Sequence, residues 1–165
     1  MKILIANKFY YRRGGDCIYA LNLEQMLRDR GHEVAVFAMD YPENLPTPWQ
    51  KYFPKNMTRL MALTRPFGSR EVRRKFSALL DDFAPVVVHL NNIHTHISPV
   101  IAELAHARGI RTVWTLHDYK LLCPRYDCML GGMNPCQRCF GDNKRGCLDY
   151  SCIKGSKLQS AVGYR

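Results

Sequence analysis

Hydrophobic positions along this chain fall into short unbroken runs separated by amphipathic stretches. The first run, Lys2-Ile3-Leu4-Ile5-Ala6, ends in a polar, glycine-containing loop from Asn7 to Gly15. Continuous apolarity over so few residues is the mark of a strand buried on both faces, as in a parallel sheet. Asp16 can then cap a helix whose apolar face carries Ala20, Leu23 and Leu27, and Gly31 is placed to stop it. Glu33-Val34-Ala35-Val36-Phe37 reads as a second buried strand.

From Met39 to Pro66 the chain carries Pro42, Pro46, Pro48, Pro54 and Pro66, which predicts loop with one short helix near Met57 to Leu63. Ser69 can cap a helix to about Phe83, with Val72, Phe76, Leu79 and Leu80 as its apolar stripe and Arg70, Arg73, Arg74 and Lys75 on the wet side. Pro85 to Leu90 is a third buried strand, Ser98-Pro99 opens a helix through Ala107 that Gly109 closes, and Arg111 to Leu116 is a fourth strand. The alternation predicts an α/β fold with a Rossmann-like, doubly wound parallel sheet. After Leu116 the pattern stops: His117 to Gly155 reads as an irregular loop rich in Cys, Gly and Asp, and Ser156 to Arg165 as the start of another helix. The expected organisation is one domain over 1–165, with 117–155 as a Cys-rich insertion.

A length of 165 residues, 47% hydrophobic and 11% aromatic, suits one globular core rather than disorder. No apolar run approaches the roughly 18 residues a membrane span needs. The apolar opening ends at Asn7-Lys8, short of a signal peptide, which places the chain in the cytoplasm. In that reducing compartment its seven cysteines read as thiols or metal ligands rather than disulfides. The net charge of +10 biases the chain towards phosphates or anionic lipid.

Three groups of residues could carry chemistry. Gly14-Gly15 lies between the first strand and its helix, where bare backbone and a helix N-terminus can approach a phosphate; a tight turn is the plainer reading. The fingerprint G-x-G-x-x-G is missing, which disfavours a nicotinamide cofactor. His89, Asn91, Asn92, His94 and His96 cluster past the third strand, and His117-Asp118 follow the fourth. In open α/β sheets the ligand crevice lies at those carboxyl ends, so both groups should share one cleft with Gly14-Gly15. A His beside an Asp can serve as base, sugar-hydroxyl partner or metal ligand, and any one of these histidines can equally be a hydrogen-bonded loop residue. His94 and His96 form an H-x-H pair without a third ligand.

Six cysteines read C-x4-C-x7-C-x2-C-x7-C-x4-C from Cys123 to Cys152. The knuckle Cys136-Gln137-Arg138-Cys139 can place two thiolates on one Zn²⁺, and flanking cysteines complete a tetrahedron; the expected ligands are Cys128, Cys136, Cys139 and Cys147. A structural zinc would order a loop that has little apolar surface. Two thiols remain spare unless an iron–sulfur cluster or disulfides use them, and redox chemistry at Cys136 and Cys139 is the lesser alternative. Cys17 reads as packing. Between Lys51 and Lys75 eight basic residues interleave with Trp49, Tyr52, Phe53, Met57, Leu60, Met61, Leu63 and Phe67. That composition suits an anionic membrane surface, a nucleic-acid groove or simply a solvated face, and nucleic acid is disfavoured because no recognised motif accompanies the charge.

Lys2-Ile3-Leu4-Ile5 followed by Gly14-Gly15, then Arg30-Gly31-His32-Glu33-Val34, Pro85-Val86-Val87-Val88-His89 and Thr115-Leu116-His117-Asp118, together resemble the N-terminal domain of family-4 glycosyltransferases of the GT-B fold. Within it the chain is similar to a subgroup in which His117-Asp118-Tyr119 runs into Leu122-Cys123-Pro124 and a Cys-rich loop. The resemblance implies one half of a GT-B enzyme, with the N-terminal half binding the acceptor and a C-terminal half gripping a nucleotide-sugar. It places Gly14 and Gly15 beside the donor diphosphate; Asn91 and His94, put in the same cleft by their position past the strand end, are expected to help bind the donor. His117 would match the family's active-site histidine, which contacts the donor sugar, and Asp118 beside it is the second expected catalytic residue. The implied chemistry is retaining transfer of a sugar to a hydroxyl without a metal nucleophile, and the basic, aromatic segment would suit a lipid-linked glycan acceptor at the inner membrane face. The family's donor-binding Glu-x7-Glu has no counterpart here, so this chain alone is expected to be inactive without a C-terminal donor domain. The alternative is a zinc-stapled binding module for nucleic acid or a protein partner.

Overall fold

The computed structural model describes residues 1–55, 69–94, 96–130, 133–141 and 143–164. The chain divides into two compact units, Met1–His117 and Asp118–Arg165. The helix expected near Met57 to Leu63 lies outside the described residues.

The first unit is built on a parallel sheet. Its strands are β1 (Lys2–Ala6), β2 (Glu33–Phe37), β3 (Val87–Leu90) and β4 (Arg111–Trp114), in the order β2-β1-β3-β4. β1 is central: Leu4 faces Ala35 on one side and Val88 on the other. Alternation splits each strand between two layers. Leu4, Ala6, Ala35, Phe37, Val88 and Leu90 face the helices α2 (Arg70–Phe83) and α3 (Val100–His106), where Phe76, Leu79, Leu80 and Ile101 complete the main core. Ile5 and Val34 face the other way, onto Ala20, Leu23 and Leu27 of α1 (Gly15–Asp29). Helices on both faces explain why the strands read as unbroken apolar runs.

Local signals mostly act where the sequence places them. The Ser69 hydroxyl accepts from Val72 N–H at 3.1 Å and caps α2. Gly31, in the left-handed region at φ 78°, turns the chain out of α1 and into β2. Asp16 is the exception: α1 opens two residues earlier with Gly14 as its cap, and the Asp16 carboxylate accepts from Asn92 Nδ2 at 3.2 Å instead. The proline-rich segment also holds a 3-10 turn, Pro48–Tyr52, that its composition did not predict.

The second unit departs from a bare loop. Met129–Leu130 (β5) pairs antiparallel with Asn134–Pro135 (β6), and short helices follow at Gly146–Asp149 (α4) and Lys157–Tyr164 (α5).

The Phe76 ring meets Phe37 edge-on with centroids 5.0 Å apart, and both are fully buried. Phe76→Ala therefore leaves a cavity between α2 and the sheet, and urea unfolding of that variant should show a loss of about 3–5 kcal/mol.

Candidate functional site

The carboxyl ends of β1, β3 and β4 bring together a group of polar side chains. Asn91 follows β3 and is 1% exposed. Its N–H donates to Ala6 O at 2.9 Å and its Nδ2 to the same carbonyl at 3.4 Å. Its own carbonyl accepts from Trp114 Nε1 at 3.0 Å. That leaves Asn91 Oδ1 as the acceptor 3.0 Å from His117 Nε2. The ring proton therefore sits on Nε2, and in the neutral ring Nδ1 is an acceptor.

Tyr19, on the first turns of α1, closes the group from the opposite layer. Its ring stands 5.0 Å from that of His117 in an edge-on contact, and its hydroxyl lies 3.4 Å from Thr115 Oγ1. Thr115 also bonds His89 Nε2 at 2.8 Å. The N-terminus of α1 is tied to the end of β3 through Asn92 Nδ2 and Asp16. Gly14 is extended at φ −139°, a conformation open to any residue, so the glycines are not required by backbone strain. Their consequence is access: Gly15 is exposed, a Cβ there would meet nothing within 4 Å, and no side chain caps the helix. Such a terminus presents N–H donors and a positive dipole end to an anion.

The structure thus gathers Asn91, Asn92, His89 and His117 with the Gly14-Gly15 turn at one end of the sheet. His94 joins less directly, its ring packed 4.9 Å from that of Trp114. Asp118 opens the second unit, and its Oδ1 accepts from Lys120 N–H at 2.9 Å in a local turn. Tyr19 and Thr115 were not legible as site residues. Tyr19 sits one helical turn beyond Gly15, the one signal that could have marked it.

Other candidates resolve differently. Trp49 and Tyr52 pack against the main core and Phe53 is 1% exposed, so these aromatics belong to the interior. The Lys75 ammonium is held by the Phe53 carbonyl and by Glu71. Met57 to Phe67 lie outside the described residues. No described helix is long and apolar enough to cross a membrane. Cys17, on the first turn of α1, is fully buried.

In the second unit Cys123, Cys136, Cys139, Cys147 and Cys152 line one small cavity; Cys128 is hydrogen-bonded to Cys123 and is not among the lining residues. All the cysteines are free thiols. Among the described residues no three His, Cys, Asp or Glu side chains stand in ligating geometry around one point.

A parallel α/β sheet with its polar cluster and open helix terminus at the strand ends is the architecture of a domain that binds ligands at those ends. The chain belongs to Glycosyltransferase Family 4, whose family model matches residues 13–129, a span that includes all of these side chains. No curated protein matches the chain. Membership makes glycosyl transfer the general activity of the protein.

Burial, and then the positive charge His117 can carry, both push the pKa of His89 below its ordinary value. A histidine whose folded pKa is depressed contributes stability above its unfolded pKa of about 6.5 and loses it as pH falls. The urea midpoint should therefore drop between about pH 7 and pH 5.5. That drop should shrink in His89→Gln, which keeps a hydrogen-bonding partner for Thr115.

Proposed function

We propose that the strand-end group forms the acceptor-side wall of a glycosyltransferase active site. Its donor would be a nucleotide-sugar and its acceptor a hydroxyl of a glycan, in the lipid-linked form. The observation that carries this reading is the setting of His117: a buried asparagine fixes its Nε2–H, Tyr19 fixes its ring plane, and Nδ1 is left as an acceptor. An imidazole held this way can take a hydrogen bond from a sugar hydroxyl and hold its orientation while the glycosidic bond changes hands. Asp118, the next residue, is proposed as its partner in the same role. The uncapped start of α1 at Gly14-Gly15 would face the diphosphate, whose charge builds as the sugar leaves. His94 and Asn91 shape the same wall, with Asn91 positioning His117 rather than touching substrate.

The retaining outcome rests on the family pattern. A donor-side half would have to come from outside these residues, because Glu-x7-Glu is not among them. In this reading the chain by itself is inactive. Docking at the inner membrane face is supported by the net charge of +10 and by Arg70, Arg73 and Arg74, which are exposed along α2.

In the complete enzyme, His117→Ala should lower kcat for sugar transfer by about a hundredfold or more while the thermal midpoint stays near that of wild type. Normal turnover by the folded variant would remove His117 from the active site.

A further inference from the structure

The second unit lacks what the first has in abundance. Every apolar cluster of the described residues lies in the first unit. From Asp118 onward the buried described residues are Pro124, Cys139, Cys147 and Ser160, while Leu121, Leu122, Met133, Phe140 and Leu158 are exposed. A unit this small cannot hold a fixed shape on such a core, and chains of this size use disulfides or a metal as the staple. Half of its buried residues are thiols.

The backbone gathers those thiols deliberately. The β5–β6 ladder is extended by Cys136 N–H donating to Cys128 O at 2.7 Å, which returns the Cys136–Cys139 knuckle to the start of the unit. Gly146 then lets α4 press onto the knuckle: a Cβ there would stand 3.1 Å from both Cβ and the carbonyl oxygen of Arg138. This close approach sets Cys147 beside Cys139: the Lys144 carbonyl accepts from Cys147 N–H at 3.1 Å and from the Cys139 thiol at 3.6 Å. After α4 the chain turns back, with Cys152 N–H donating to Cys147 O at 3.0 Å. Lys144 fastens the turn by donating from Nζ to the carbonyls of Leu122 and Cys139, both at 3.3 Å.

We propose that the cavity lined by Cys123, Cys136, Cys139, Cys147 and Cys152 is a structural site for one Zn²⁺, with Cys139 and Cys147 as obligatory ligands, two of the other three completing a tetrahedron, and Cys128 outside it. The assignment replaces Cys128 in the set that spacing alone suggests. An all-sulfur donor set with no carboxylate selects a soft, tetrahedral cation. Binding is a proton-for-metal exchange: up to four thiol protons leave to solvent as Zn–S bonds form, with no electron transferred. Closing on the ion requires rotation of thiols that already line the cavity.

Elemental analysis of the protein purified without chelator should give about one zinc per chain, with no iron and no acid-labile sulfide. Cys128→Ser and Cys17→Ser should keep the metal, whereas Cys139→Ser and Cys147→Ser should lose it. Because the latter pair can fail to fold, the wild-type chain supplies a second readout: stripping zinc with a mercurial and chelator should open Asp118–Arg165 to protease while Met1–His117 stays resistant, and added zinc should restore protection. A metal-free chain with a protease-resistant second unit would overturn the proposal. So would iron with sulfide, disulfides among these cysteines by mass, or loss of the zinc on Cys128→Ser.

Discussion

Asn91 is the residue on which the candidate site depends. It is buried at the end of the sheet, where an unmet polar atom costs about 1–3 kcal/mol, and each of its polar groups has a partner. Its N–H and Nδ2 donate to the Ala6 carbonyl of β1, its carbonyl accepts from the Trp114 indole at the end of β4, and its Oδ1 accepts from His117 Nε2. One residue, through its backbone and its side chain, thereby fastens three strand ends and sets the tautomer of the histidine that follows the last of them. The constraint runs from sheet to site: without the β1–β3 register that places Leu90 beside Ala6, Asn91 would not meet that carbonyl.

Much of the first unit was legible because its strands are buried on both faces and its helices are stopped by residues with one physical reading. Runs such as Lys2 to Ala6 and Glu33 to Phe37 predict parallel strands, and Ser69, Gly31 and Gly109 cap or close helices as their chemistry dictates. Asp16 misled because a carboxylate near a helix start suits both a cap and a first-turn position, and here a long-range bond to Asn92 decided between them. The aromatics Trp49 and Phe53 read as surface material in a proline-rich, basic segment, yet tertiary packing took them inward. The site was legible as a cluster at strand ends. Its closure by Tyr19 was not, since a place one helical turn beyond Gly15 does little to set one exposed helical tyrosine apart from another.

The two units are ordered by different physics. In the first, apolar burial on both faces of a sheet supplies the stability, and polar groups such as Asn91 and His89 are held at its rim by the packing beneath. In the second, exposed leucines and methionines leave little apolar area to bury, and the chain instead converges its thiols. Cysteine spacing announced that cluster, but only the fold separates Cys128 from the five that share a cavity.

The most direct test of the account is a double-mutant cycle on sugar transfer by the complete enzyme, with Asn91→Ala, His117→Ala and both together, the fold of each checked by circular dichroism. If Asn91 acts by positioning His117, removing it should lower kcat in the wild-type background and change little once His117 is already gone. Losses that multiply across the two positions would show that Asn91 and His117 act independently, and the central claim would fail.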